Sequence, residues 1–178
     1  MVQDARRHGV EVRAADVMHS DWTCTLENEG MDAGRTAKPA SVNEIFTSPL
    51  APDQPAVRLG LRLISRLSEA VAARIVQARG ESPFIRTEDL AIRAQLDQGD
   101  LKALAGADAL AALSGQRRQQ VWEASALKPA PGLLKAVPVN EDWLELPAAT
   151  EGAEVVFDYA STGLTLRSHP FGLLRARL

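Results

Sequence analysis

Three arginines, Arg58, Arg62 and Arg66, stand at every fourth position ahead of a predicted helix start. Ser68 follows them and can cap that helix through its hydroxyl group. The first turn of a helix has amide groups without backbone partners and a partial positive charge, and neighbouring guanidinium groups add to the attraction for a phosphate oxygen. The sequence therefore indicates a phosphate-binding site, although an ordinary solvated helix surface would carry the same residues.

The helix that begins after Ser68 is predicted to cover residues 69–79 and to end at Gly80. Its apolar residues are separated by three, four, four and three positions, which places them on one face of a helix. They are Ile64, Leu67, Val71, Ile75 and Ala78. This spacing predicts a helix packed against a core, and by itself it assigns the helix no function.

Capping residues predict two more helices after Gly80. Thr87 is followed directly by two acids, which is typical of a cap and a first helical turn. Asp97 and Asp100 have the spacing of a capping box, and Gly99 lies between them. These short helices and tight turns predict helical hairpins rather than a long bundle.

A third turn is predicted in the stretch ALSGQRRQQVWE, where Ser114 can cap the following helix and Gly115, Arg117 and Arg118 come together. Residues 56–128 include eleven basic and eight acidic residues, a net charge of +3, whereas the whole chain carries −3. Any nucleic-acid binding must therefore come from a local basic surface. Helical hairpins with scattered arginines are as compatible with plain scaffolding as with DNA contact.

The turn Arg66-Leu67-Ser68 matches part of the helix-hairpin-helix motif. That turn usually reads glycine–hydrophobic–glycine, so that the backbone approaches a phosphate closely. Here the hydrophobic residue and a small last residue are present, but an arginine replaces the first glycine. Glycine tolerates positive φ more readily than other residues. Two alternatives follow: the hairpin binds through the Arg66 side chain, or it only packs.

The predicted DNA-binding residues are cations that would pair with phosphates and two residues that would offer backbone amides. They are Arg62, Arg66, Ser68 and Arg74 at the first hairpin, and Gly99, Lys102, Arg117 and Arg118 at the later turns. Ser68 and Gly99 are the two amide donors.

No other residue combination predicts an active site. The histidines at 8, 19 and 169 are far apart without metal-ligand spacing, and there is no glycine-rich phosphate loop. Cys24 is the only cysteine, which excludes an internal disulfide, and we expect it to be a small buried hydrophobic residue. Apolar runs fall far short of the roughly 18 residues that a membrane span needs, so we expect a cytoplasmic protein without membrane contact.

Composition and patterning divide the chain into five segments. Residues 1–26 are predicted to contain a helix that ends at Gly9 and a strand without a partner in that segment, and 27–55 to form a mobile loop rich in Gly, Pro and charge. Residues 56–127 are predicted to begin with a short strand at 56–62 and to continue as the helical hairpins. Residues 128–150 are predicted to be a linker with four prolines, and 151–178 to contain a helix that ends at Gly163 and another that begins near Pro170. Both ends of the chain look interrupted, which predicts a piece of a larger protein.

Four blocks in order carry a resemblance to a known family. They are VQDARRHGVEVRAADVMHSDWTCTLE, RLGLRLISRLSEAVAARIVQARG, ADALAALSGQRRQQVWE and DYASTGLTLRSHPFGLLR. Together they resemble the C-terminal half of bacterial C-family DNA polymerases, and in particular the error-prone, damage-inducible branch. Besides Arg66, the chain departs from that pattern at Met18, where asparagine is expected, and at Thr23, where aspartate is expected.

The resemblance implies a place for each segment in a polymerase. Residues 1–26 would close the fingers region, 56–127 would be a tandem helix-hairpin-helix module that holds duplex DNA, and 151–178 would lead to an OB fold that this chain lacks. The palm domain would lie upstream with the ligands of two Mg²⁺ ions. The chain alone is therefore not expected to polymerise DNA or to hold a cofactor. The expected partners are the duplex DNA backbone, a sliding clamp and mutagenesis accessory proteins.

We expect a mainly α fold, built on a tandem helix-hairpin-helix module with short flanking strands, as a fragment of a larger polymerase. Its expected function is to grip the DNA backbone without sequence preference for error-prone translesion synthesis. The alternative is a helical protein-interaction module without DNA binding of its own. An independent enzyme is disfavoured, because the sequence has no acid–base or metal constellation.

Overall fold

The computed structural model describes residues 2–27, 55–127 and 146–175, which form eight short α-helices, one 3₁₀ helix and a three-stranded sheet. The elements are α1 Val2–Arg7, β1 Val12–Arg13, β2 Thr25–Glu27, β3 Ala56–Arg58, a 3₁₀ helix Leu61–Leu63, α2 Glu69–Glu81, α3 Thr87–Arg93, α4 Gln98–Gly106, α5 Ala111–Ser114, α6 Arg117–Ala126, α7 Glu151–Thr162 and α8 Pro170–Arg175. The predicted mainly α fold with short strands is confirmed. Nearly all of the predicted loop 27–55 and most of the predicted linker 128–150 lie outside the described residues.

The sheet has the strand order β1-β3-β2, with β3 in the centre. β1 pairs in parallel with β3, with Val12 opposite Val57, and β2 pairs with β3 in the antiparallel sense. The expectation that the first strand has no partner is therefore wrong, because its partner comes from a distant part of the chain. Ala15 and Val17 also lie in the same core as the helices.

Strand β3 is shorter than the predicted 56–62, because the chain turns away from the sheet after Leu59. Gly60 lies against the backbone of residues 22–24, and the amides of Leu61 and Arg62 donate to the carbonyls of Asp21 and Trp22. Leu61 then enters the core within the 3₁₀ helix and is fully buried. This contact fixes where the first hairpin begins.

Arg58 and Glu27 join the central strand to β2. The Arg58 Nε atom donates to Glu27 at 2.8 Å, and Arg13 donates to the other carboxylate oxygen at 2.9 Å. The hydrogen bond from Arg58, helped by the one from Arg13, lowers the pKa of Glu27. The carboxylate therefore stabilises the fold in its ionised form.

Several predicted helix ends are confirmed. The Ser68 hydroxyl accepts a hydrogen bond from the Val71 amide at 3.3 Å, and both bonds of the Asp97–Asp100 capping box are present. Helix α7 ends at Gly163 in the left-handed conformation, and α8 begins at Pro170. Each of these signals depends on residues that are close together in sequence.

Three predicted helix boundaries are wrong. Gly80 lies inside α2, which continues to Glu81, because the Ser82 amide still donates to the Ala78 carbonyl. Thr87 is the first residue of α3 instead of its cap, and its buried hydroxyl contacts that of Ser114 at 2.5 Å. Ser114 ends α5 and does not cap α6, because its hydroxyl is occupied by this contact and by Glu123.

We expect Gly60→Ala to destabilise the chain by about 1–3 kcal/mol, because overpacking forces well-packed atoms to move. The added Cβ would lie 2.5 Å from the Trp22 carbonyl oxygen and 2.4 Å from the Thr23 carbonyl carbon. Gly80→Ala is the matched control: no atom lies within 4 Å of its Cβ, and the helix should gain about 0.5–1 kcal/mol. Urea unfolding measures both, and equal midpoints for the two variants would contradict the close approach.

We expect Glu27→Gln to lower the free energy of unfolding at pH 7 by about 1 kcal/mol, because the ion pairs with Arg58 and Arg13 are lost. The lowered pKa makes this stabilisation complete above the unfolded pKa of about 4.3, and it disappears as the pH falls through the folded value. Urea unfolding of both proteins between pH 7 and pH 3 should therefore show converging curves. A difference that stays constant to pH 3 would rule out this cause.

Candidate nucleic-acid interface

The first hairpin turn lies between the 3₁₀ helix and α2. Arg66 has φ +69°, the left-handed conformation that glycine adopts most readily, and Leu67 after it is buried. Ser68 then caps α2 and lies at the surface with Glu69 and Ala70. Within the described residues, no group accepts a hydrogen bond from the amides of Glu69 and Ala70. The turn therefore keeps the backbone conformation of a glycine, with an arginine in its place.

The cations around this turn fall into two groups. The side chains of Arg62 and Arg66 are exposed and have no acidic partner in the described parts of the chain. Arg58 is different, because its guanidinium group is held by Glu27 and by the Ala14 carbonyl. Glu69 places one carboxylate in the first turn of α2 and offsets part of the positive charge. Arg62 and Arg66 are thus the cations available beside the free amides.

Arg74 lies on α2 and points toward the second turn rather than toward solvent. Its Nε atom donates to the Ala94 carbonyl at 2.8 Å, and an Nη atom donates to the Gln95 carbonyl at 3.2 Å. The Asp100 carboxylate lies 3.9 Å away. These contacts hold one hairpin against the next, so the position of Arg74 favours a structural role over the predicted phosphate contact.

The second turn repeats the backbone of the first. Gln95 is left-handed with φ +51°, Leu96 follows, and Asp97 caps α4. Gly99 and Lys102 are both exposed near the start of this helix, as a binding role requires. However, the carboxylates of Asp97 and Asp100 occupy the capping positions on either side of Gly99. The second turn therefore offers a phosphate similar geometry and a less favourable charge.

At the third turn, two adjacent arginines have different environments. Gly115 has φ +67°, and α6 begins two residues later. The side chain of Arg118 is exposed and donates to the Pro147 carbonyl at 3.1 Å. The side chain of Arg117 is only 3% exposed and faces inward, where it contacts Glu154 at 3.2 Å. Arg117 is therefore not placed to reach a phosphate, contrary to the prediction, because its charge is buried among acids.

A family model described as the helix-hairpin-helix motif matches residues 9–120. The chain belongs to the helix-hairpin-helix family. The match begins well before residue 56, where the sequence placed the start of the module, in keeping with the pairing of β1 to β3. The matched region thus includes the three strands of the small sheet.

Relatives along the whole chain are named error-prone DNA polymerases, which confirms the resemblance. Those of Aromatoleum aromaticum and of Azoarcus sp. strain BH72 are each 46% identical to all of this chain, which covers 15% of each relative. That of Methylococcus capsulatus is also 46% identical, and the chain covers 17% of it. The chain therefore spans about one-sixth of the length of these relatives.

A cluster of five charged side chains attaches α7 to the helix-hairpin-helix module. Arg117 contacts Glu154 and Asp158 on α7 and lies 3.8 Å from Asp108, while Arg167 contacts Asp108 at 3.2 Å. This cluster was not predicted from the sequence. The available signal was the spacing of Glu154 and Asp158, which places two acids one turn apart on the same helix face.

Cys24 is exposed rather than buried, and its Sγ atom accepts a hydrogen bond from the Gly60 amide at 3.4 Å. Within residues 2–27, 55–127 and 146–175, no group of three or more His, Cys, Asp or Glu side chains is arranged to hold a metal ion. Among the helices described, none is long and apolar enough to cross a membrane.

We expect Arg117→Met to destabilise the chain by about 3–5 kcal/mol, because three carboxylates would then share only Arg167. The matched control is Arg118→Met, which removes an exposed arginine from the same turn and should change the free energy of unfolding by less than about 0.5 kcal/mol. Urea unfolding distinguishes the two. A small loss for Arg117→Met would show that the cluster does not hold α7 in place.

Proposed function

We propose that this chain is the DNA-binding part of an error-prone DNA-directed DNA polymerase. It grips the backbone of duplex DNA without sequence specificity during damage-induced, translesion synthesis. The observation that carries this proposal is the first hairpin turn, where the left-handed Arg66 precedes a capped helix with two free, exposed amides. Amides and guanidinium groups arranged in this way suit a phosphate group, which is the same in every DNA sequence.

The proposed interface has unequal parts. The first turn supplies Arg62, Arg66 and the amides that follow Ser68, and we assign it most of the affinity. Gly99 and Lys102 at the second turn add a weaker contact, since two carboxylates lie beside them. Arg118 contributes from the third turn.

Nucleotide addition with two Mg²⁺ ions is proposed for the larger polymerase and not for this chain alone. The sliding clamp and mutagenesis accessory proteins remain proposed partners of the larger polymerase, and the cytoplasm its proposed location. The relatives support this placement by their name and by the match along the whole chain.

Binding to duplex DNA should be measured by the fluorescence anisotropy of a labelled duplex at several salt concentrations. We expect salt-dependent binding, and we expect Arg62→Glu with Arg66→Glu to weaken it by more than about tenfold and to reduce the slope of log K against log salt by roughly 2. Two duplexes of different sequence should bind equally well. Binding that does not depend on salt, or that survives the double substitution, would contradict the proposal and favour a protein-interaction module.

Two further variants separate a specific contact from a general charge effect. Arg86→Glu reverses one exposed charge beyond the far end of α2, a helix about 20 Å long that begins after Ser68. It should weaken binding much less than Arg66→Glu alone. Arg66→Gly keeps the left-handed turn and removes only the cation, so binding should fall while the free energy of unfolding changes by less than about 1 kcal/mol. Unchanged binding by Arg66→Gly would show that the Arg66 side chain takes no part.

A further inference from the structure

Helix α7 presents an apolar face to solvent. Val156 is 68% exposed and Tyr159 45% exposed, and Gly152 and Ala160 complete the same outer surface. Phe157 lies at its border, 45% exposed, with the Arg117 guanidinium 5.9 Å from its ring centre. No charged side chain of α7 lies between these residues on the outer face. We call Gly152, Val156, Phe157, Tyr159 and Ala160 the outer face of α7.

The inner face of α7 carries the charges that a solvent-facing surface would normally have. Glu154 is 8% exposed and, with Asp158, contacts the buried Arg117. Arg167 contacts the same two carboxylates. Turning α7 to bury Val156 would pull both acids away from Arg117 and leave its charge unpaired, which is strongly unfavourable. The ion pairs therefore hold the apolar side outward.

A second copy of the chain is a poor occupant for this surface. Helix α7 is twelve residues long, or about 18 Å, and its outer face offers three large side chains. Such a patch covers a few hundred Å², whereas a stable interface between separate proteins buries roughly 800 Å² on each partner. A surface tethered on the same polypeptide needs less area, since its effective concentration is of the order of millimolar.

We propose that the outer face of α7 docks against another domain of the same polypeptide, through an apolar, uncharged surface of that domain. The relatives are long enough to contain such a domain, because this chain covers only 15% of their length. The proposal rests on placing the chain within a larger polymerase, and it does not depend on DNA binding. The role of this docking is to hold the helix-hairpin-helix module, through α7 and Arg117, at a set position relative to that domain.

The test compares the accessibility of one thiol in two proteins. The first protein is this chain with Cys24→Ser and Val156→Cys. The second is the Aromatoleum aromaticum polymerase, in which this chain, with the same two substitutions, replaces the matching segment. Labelling by a maleimide reagent is followed at each cysteine by peptide mass spectrometry. Gln77→Cys, exposed on α2, is the matched control, and duplex binding is measured on the same samples.

We expect the thiol of Val156→Cys to be labelled rapidly in the chain alone and about tenfold more slowly in the polymerase. An interface with a dissociation constant of about 0.1 mM at millimolar effective concentration would give this ratio. The control at 77 should be labelled equally in both. Equal labelling at 156 in both proteins would overturn the proposal. Slow labelling in the chain alone would also overturn the proposal. If that slow labelling depends on protein concentration, a second copy of the chain covers the outer face of α7. If it does not, another part of the same chain covers that face. A loss of duplex binding with protection at 156 intact would count against the proposed function and not against this docking.

Discussion

The arrangement of the hairpins depends on one backbone constraint. The first two turns each reverse the chain within a few residues and still place a leucine toward the core before the next helix starts. A left-handed residue directly before that leucine meets this requirement, and it occurs at Arg66 and again at Gln95. Because the following helix then starts at the surface, its first amides face outward. The feature that permits packing is thus the same feature that exposes hydrogen-bond donors to a phosphate.

The two turns show that backbone geometry and charge vary independently. The first combines free amides with exposed arginines, whereas the second has nearly the same backbone and two carboxylates at its caps. Several other arginines serve the fold: Arg58 holds the sheet, Arg74 holds the second turn, and Arg117 holds α7. A count of basic residues therefore overstates the positive charge that DNA would meet. The proposed interface is therefore confined to a small part of the surface.

Features set by neighbouring residues were predictable from the sequence, and features set by distant ones were not. The caps at Ser68 and Asp97 depend on residues three positions away, so their patterns are visible in the sequence. The partner of β1 and the acids around Arg117 come from remote segments, and no local pattern specifies them. This difference explains why the sequence brought Arg62, Arg66 and Ser68 together at one exposed turn but did not predict the burial of Arg117. Apolar spacing and caps already indicated helical hairpins, and the family resemblance added the expectation that they belong to a polymerase.

The antiparallel pairing of β2 with β3 has a consequence for how this protein can vary in length. Glu27 lies opposite Ala56, so the two ends of the intervening connection are held side by side by the sheet itself. Closing a connection between fixed ends becomes only slowly more costly with length, by about 0.6 kcal/mol for each doubling. Insertions and deletions between these strands should therefore be tolerated during evolution. The same position is suited to a fluorescent reporter that leaves the hairpin turns unchanged.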